Sequence, residues 1–280
     1  MEGEKIYYIM DFVEKVKQLL PLPLRVVIRR LRWYIFVSRN QRVSWDRQLV
    51  RDIAEYFNLS YKETILLLKL GCKLNALLWN ALHPETEEEI SRFYKITPFY
   101  IFDLAYWHMW KGMRKFSDEI LKVADGDTLD YGGGIGGLCI KLAEKGLDIT
   151  YSDVPGRTFE FAKWLFEKRG YNIRAINLEK EELQDQYNTI ICIDVIEHVP
   201  NPEDVLYRMA SSLRKGGKLI ITQLQGLEDV GVHPMHFKMK FNAEELLKSL
   251  GLSKTDRKWL WVKDADKIPL SKVIKANRVP

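Results

Sequence analysis

Cysteine is scarce in this chain and scattered where it occurs. Cys72, Cys139 and Cys192 are the three in 280 residues, and each lies inside an apolar segment. A disulfide framework needs a clustered, even set, so packed thiols in a reducing compartment are expected, and with them a cytoplasmic location. An apolar leader is lacking at the start, where Glu2, Glu4 and Asp11 interrupt any such run. No stretch reads as the ~20 apolar residues of a membrane span. Internal repeats and low-complexity tracts are also missing. What remains is an ordinary globular composition, 46% hydrophobic and 29% charged, long enough for one large or two modest domains.

Acidic side chains are absent from Val16–Val43. That segment holds Lys17, Arg25, Arg29, Arg30, Arg32, Arg39 and Arg42, a charge of +7 in a chain whose net charge is +5. Apolar residues, among them Trp33, Tyr34 and Phe36, are interleaved with the arginines. Two readings stay open: peripheral contact with an anionic membrane surface or acidic partner, and a helix whose arginines are solvated.

The first ~120 residues carry helix signals. Ser60-Tyr-Lys-Glu63 and Thr86-Glu-Glu-Glu89 have the form of capping boxes, and Pro98 follows Thr97 at a first helical position. Ser60–Leu82 is unusually apolar, so it is expected at the centre of a helical domain. Phe99, Tyr100, Phe102, Tyr106, Trp107 and Trp110 crowd the next segment around His108, with Gly112 offered as its stop. Asp52–Gly71 has helix-turn-helix spacing, but its second helix becomes a leucine run that could not reach base edges, which argues against nucleic acid. From residue 126 strands and helices alternate, which implies a mostly parallel sheet. The strands read at 128–131, 148–152, 173–176, 189–193 and 218–223. Two later stretches, 258–263 and 270–276, are expected as an antiparallel edge pair.

The densest signal is Thr128–Gly137, TLDYGGGIGG, a strand entering a glycine turn before a helix. Gly132, Gly134 and Gly136 stand where a backbone must turn tightly and approach a ligand closely. Asp153 ends the next strand, 21 positions after Gly132, where a doubly wound fold places the carboxylate for a ribose diol. The fourth strand breaks into Asp194-Val-Ile-Glu197-His198-Val199.

On Leu129–Gly137, Asp153, Asp194–Val199 and Leu213–Thr222, the chain resembles the class I S-adenosylmethionine-dependent methyltransferases over roughly residues 120–280. The motif is nearest to the small-molecule and quinone O-methyltransferase branch. Dinucleotide-binding dehydrogenases space their third glycine later and lack the D-V-I-E-H-V element. The resemblance implies an α/β fold: a doubly wound, seven-stranded Rossmann-like domain over 123–280, preceded by an all-helical domain over 1–122 that covers the acceptor. It also implies that Gly132, Gly134 and Gly136 lie along the methionine part of S-adenosylmethionine. Asp130 would orient the turn or meet the donor's amino group, and Asp153 would accept from both ribose hydroxyls. Asn177, where the family often has an aspartate, would lie near the adenine amino group. Leu178 and Ile135 would pack on the nucleoside, and Asp194 would lie beside it.

Asp194-x-x-Glu197-His198 also has the form of the acid-x-x-E-H cluster that can hold a divalent cation in the quinone branch; a cation and a hydrogen-bonded brace both remain open. His198, His233 and His236 are the candidate bases, since imidazole takes protons near neutral pH, and a cation held by His198 with His233 or His236 is the other arrangement open to them. Each could instead brace a loop, because in-line methyl transfer needs alignment more than covalent help. The aromatic segment 99–110 would line a pocket for a small-molecule or lipid-like acceptor. The accepting atom, O, N, S or C, stays open, although no N-P-P-Y signature follows the fourth strand. The other readings are an S-adenosylmethionine enzyme of a different outcome, metal-assisted or cyclising, and a non-catalytic binding protein that keeps the fold.

Overall fold

The computed structural model describes residues 43–183, 186–224, 236, 237, 239 and 241–264. The basic stretch up to Arg42, His233 and residues 270–276 lie outside them. The chain divides into two compact units, residues 1–44 with 110–112, and residues 45–109 with 113–280. The boundary expected near residue 122 falls inside the second unit.

Local capping chemistry starts the first three helices among the described residues. The Asp46 carboxylate accepts from the amides of Gln48 and Leu49 to open α1, Arg47–Tyr56. Both capping boxes form, opening α2, Tyr61–Leu82, and α3, Glu87–Ile96. Next come α4, Phe99–His108, and α5, Lys111–Val123. Gly112 therefore sits in the first turn of α5 rather than stopping a helix: α4 has already ended at His108.

By length and composition, α2 could cross a membrane, contrary to the reading that no stretch approaches a span. In the fold one stripe of it, Thr64, Leu68, Gly71, Asn75 and Trp79, is buried, and α2 packs on α4. Gly71 permits that approach, since a Cβ there would stand 2.6 Å from the Asp103 backbone nitrogen. Buried Asn75 then ties the pair: its amide donates to Asp103 at 3.3 Å and its oxygen accepts from Thr97 at 2.9 Å.

Strands β1 (Thr128–Tyr131), β2 (Ile149–Asp153), β3 (Arg174–Asn177), β4 (Tyr187–Cys192), β5 (Leu213–Ile221), β6 (Leu252–Lys254) and β7 (Leu260–Lys263) form a seven-stranded sheet among the described residues, in the order β3-β2-β1-β4-β5-β7-β6. The first five are parallel, while β7 runs antiparallel to β5 and β6 to β7. Among the described residues the antiparallel edge is thus Leu252–Lys254 with Leu260–Lys263; the expected stretch 258–263 supplies β7, β6 was not anticipated, and the expected 270–276 lies outside the described residues. β5 begins five residues earlier than its expected Lys218 start because Tyr187 pairs with Leu213 before a register shift brings Thr189 opposite Lys218.

Helices α6 (Gly137–Glu144) and α7 (Arg157–Lys168) follow β1 and β2, and α8 (Pro202–Ser212) and α9 (Ala243–Ser249) come later. Cysteine enters the core as expected, with Cys139 and Cys192 fully buried. Leu129, Ile190, Cys192 and Leu219 of the sheet pack with Leu206 and Met209 of α8, Leu247 of α9 and Trp261. Buried Lys263 of β7 donates to the carbonyls of Ala210 and Leu213 at 2.7 and 2.8 Å, satisfying acceptors at the end of α8. Asp52 of α1 is buried and paired with Arg169, just past α7, at 2.6 Å. That pair fastens the first helix to the sheet domain.

Candidate functional site

The glycine turn follows β1 at the carboxyl edge of the sheet. Gly132, Gly134 and Gly136 all have positive φ, +69°, +56° and +72°, which side chains with a Cβ rarely adopt. The amides of Gly132 and Gly133 donate to the Ser152 carbonyl at 2.8 and 3.1 Å, so the turn is stitched to β2. A Cβ at Gly132 would stand 2.5 Å from Val195, and one at Gly134 would stand 2.9 Å from Leu104. Gly136 answers a different need, because its Cβ would strike the Phe166 ring at 2.4 Å. Gly132 and Gly134 border the cavity described below, whereas Gly136 lets α6 pack on α7.

Two carboxylates flank the turn. Asp153 accepts from the amides of Gly134 at 2.8 Å and Val154 at 2.7 Å. Burial nevertheless outweighs those bonds and pushes its pKa up to about 7. Asp130 is 4% exposed and accepts from the Cys139 thiol at 3.1 Å. Burial raises its pKa to about 6.

Past β4 the backbone bends sharply. Asp194 has φ +53°, and its oxygen accepts from the Thr222 hydroxyl at 2.8 Å while its amide donates back to that hydroxyl. Glu197 and His198 then fall in a single 3₁₀ turn, Ile196–His198. Glu197 is 2% exposed, and its Oε2 has no hydrogen-bond partner among the described residues. Burial, helped by the nearby Asp194 charge, raises its pKa to about 8. The Tyr94 hydroxyl lies 3.0 Å from His198 Nδ1. His198 and His236 meet edge to face with ring centres 4.7 Å apart. Ligating atoms of Glu197, His198 and His236 all lie within 4.8 Å of one another. Phe237 donates its amide to the Glu197 carbonyl at 2.7 Å, which holds the loop carrying His236 against the turn.

These groups border a cavity of about 450 Å³, within the range of small-molecule and cofactor sites. It is lined by Asp130, Gly132, Gly134, Asp153, Leu178 and Asp194 from the strand ends, by His198 from the turn after β4, and by Tyr94, Tyr100, Leu104, Trp107 and His108 from helices α3 and α4. His108 is held neutral, its pKa pushed down to about 4 by burial and then by Lys141. The turn without Cβ atoms and the acceptor-only carboxylate beside it fit a nucleoside with adjacent hydroxyls.

The structure thus gathers Asp130, Gly132, Gly134, Asp153, Leu178, Asp194 and His198 around one space. Four expected contacts differ, the first being Gly136, which faces Phe166 and does not border the cavity. The Asn177 side chain turns into its own loop, accepting from the Glu179 amide at 3.0 Å, and does not border the cavity. Ile135 is fully buried and borders a separate, smaller hollow instead. His236 reaches Glu197 and His198 but is not among the cavity walls. The position of His233 lies outside the described residues. Tyr94, Ile90 and Ser91 of α3 were missed by sequence reasoning. The available signal was the spacing of Ile90 and Tyr94, one helical turn apart on the same face.

A methyltransferase domain family matches residues 106–267. The chain is also similar to the ubiquinone biosynthesis O-methyltransferase of Saccharophagus degradans, at 29% identity over 113 residues, 39% of this chain and 48% of that protein. A similar match is the protein of the same description from Dechloromonas aromatica, at 28% over 111 residues, 38% of this chain and 48% of that one. The chain therefore spans about half the length of these curated relatives. Among solved structures, the N-methyltransferase NodS of Bradyrhizobium japonicum, in complex with S-adenosyl-L-homocysteine, aligns at 17% identity with a TM-score of 0.41, covering 54% of this chain and 85% of that one. With more than half of its residues matched, the chain belongs to the methyltransferase domain family, in the S-adenosylmethionine-dependent class that its glycine turn resembles.

Proposed function

We propose that this chain methylates a hydroxyl oxygen of an apolar, small-molecule or lipid-like acceptor. When bound, S-adenosylmethionine supplies a methyl group made electrophilic by the sulfonium. Asp153 would accept from the ribose hydroxyls, Asp130 and the Gly132–Gly134 backbone would hold the amino-acid part, and Leu178 would lie on the nucleoside. Tyr100, Leu104 and Trp107 exclude water and hold the acceptor. In this reading His198 carries its proton on Nδ1, donated to the Tyr94 oxygen, and Nε2 takes the hydroxyl proton as the methyl–oxygen bond forms.

The observation that carries the proposal is one cavity bordered together by the carboxylates and glycines of the strand ends, the aromatic side chains of α3 and α4, and His198. Oxygen as the accepting atom is favoured by the description of the relatives as O-methyltransferases. The test is to incubate the protein with labelled S-adenosylmethionine and a panel of phenolic acceptors with and without long apolar tails. Label in the oxygen-linked product of an apolar acceptor is expected. Label on nitrogen, or only on hydrophilic acceptors, would overturn the assignment.

A second reading rests on the convergence of Glu197, His198 and His236 and the unpaired Glu197 Oε2. These donors suit a divalent cation with nitrogen and oxygen ligands, which would polarise the acceptor oxygen in place of a base. Elemental analysis of protein purified without chelator separates the two. A stoichiometric metal lost in Glu197→Gln favours the cation, and metal-free active protein favours the base.

A further inference from the structure

We propose that the outward face of α2 lies on an anionic lipid surface, with its leucines in the headgroup boundary and its lysines on the phosphates. The helix is apolar all round, but the fold uses only one side of it. Thr64, Leu68, Gly71, Asn75 and Trp79 form the buried stripe. On the opposite side Leu66 is 56% exposed and Leu77 64%, and Lys62, Lys69 and Lys73 are exposed at intervening turns. These positions recur at three- and four-residue spacing, so they form one continuous strip. The strip interleaves apolar and cationic side chains, Lys62, Leu66, Lys69, Lys73 and Leu77.

Charge selects the occupant. Glu63 is the single carboxylate of the helix, and its side chain is already committed to the Ser60 capping box. A second copy of the strip would bring lysine against lysine with no carboxylate to pair them. The arginine-rich segment Val16–Val43 has the same sign and meets the same objection. Anionic phosphates answer the lysines, and an acyl boundary answers the leucines. Trp45 fits this placement. It is 36% exposed, and the Lys69 ammonium lies 5.9 Å from its ring centre, an amphipathic indole at the edge of the strip.

The helix lies on the surface rather than crossing it, because its buried side holds the Asn75–Asp103–Thr97 hydrogen bonds. On its other side α4 presents Tyr100, Leu104 and Trp107 to the cavity. Only α4 therefore separates the lipid-facing helix from the proposed acceptor wall. The inference does not depend on methyl transfer.

The test is sedimentation of the full chain with phosphatidylcholine vesicles, with and without phosphatidylglycerol. The wild type is expected to bind the phosphatidylglycerol vesicles. L66Q/L77Q is expected to bind roughly tenfold more weakly, and K69E/K73E to lose the preference for phosphatidylglycerol. Val16–Val43 is present in every variant, so its own lipid affinity cancels from the comparison. Circular-dichroism melting checks folding. Since the four side chains are exposed, unchanged melting is expected, and K69E/K73E keeps the test valid if the glutamine pair misfolds. Equal vesicle binding by all three proteins would overturn the proposal, as would no binding by the wild type. A dimer abolished by L66Q/L77Q, with vesicle binding unaltered, would assign the face to a second copy instead.

Discussion

The sheet wall and the helical wall of the cavity are built on different rules. On the sheet side, the carboxylates are held by groups of the strand ends and the turns that follow them. Asp153 is held by the Gly134 and Val154 amides, and Asp194 is held by Thr222 at the end of the neighbouring strand. On the helical side, side chains are set by packing between elements far apart in sequence. Tyr94 reaches His198 across 104 positions, and α4 is positioned by Gly71 and Asn75 of α2. In the proposed reading the sheet wall holds the donor and the helical wall the acceptor. Substitutions on the two walls should accordingly separate donor affinity from turnover.

The largest expected effect is at His198, where Tyr94 of the helical wall meets the turn after β4. His198→Gln should lower kcat by about 10²- to 10⁴-fold if His198 takes the acceptor proton, with affinity for S-adenosylhomocysteine unaltered. Steady-state kinetics beside calorimetry reads both, and an unchanged kcat would remove the base from the mechanism.

Next is the sheet side. Asp153→Ala should weaken binding of S-adenosylmethionine and its demethylated product by about 1–3 kcal/mol through loss of charge-assisted hydrogen bonds. Calorimetry with unchanged affinity would refute the ribose assignment. The same carboxylate sets a pH dependence. Its pKa is raised to about 7, and only the ionised form can accept from two hydroxyls. Affinity should hold above that pH and fall about tenfold per unit below it. Asp153→Asn should flatten the profile.

The smallest effect sharpens the comparison most. Tyr94→Phe removes one hydrogen bond to His198 and should cost about 0.5–1.5 kcal/mol in kcat/KM. Donor affinity should be unaltered, and the alkaline or acid limb of the kcat profile should move as the imidazole loses its partner. A change in donor affinity instead would show that the two walls are coupled.

Elements whose cause is local were legible before folding was considered. Ser60 with Glu63 and Thr86 with Glu89 start helices through bonds spanning three residues. The three glycines after β1 mark a turn because glycine takes positive φ without the strain of a Cβ. The edge pair was harder to read: β6 has three residues and is defined by pairing with β7 rather than by its own apolar pattern. Asn177 was misplaced because its amide is satisfied two residues away, in its own turn.

By itself, then, the sequence determined the parallel sheet, the glycine turn and the acidic residues at the strand ends. Those features depend on φ, hydrogen-bond reach and apolar periodicity within some twenty residues of chain. Only the tertiary structure decided that α3 supplies Tyr94, that Glu197, His198 and His236 converge, and that α2 keeps a leucine and lysine face outward. Each of these is a meeting of side chains from separate elements. Such meetings are set by close packing of the whole core, for which no short stretch of sequence carries the instruction.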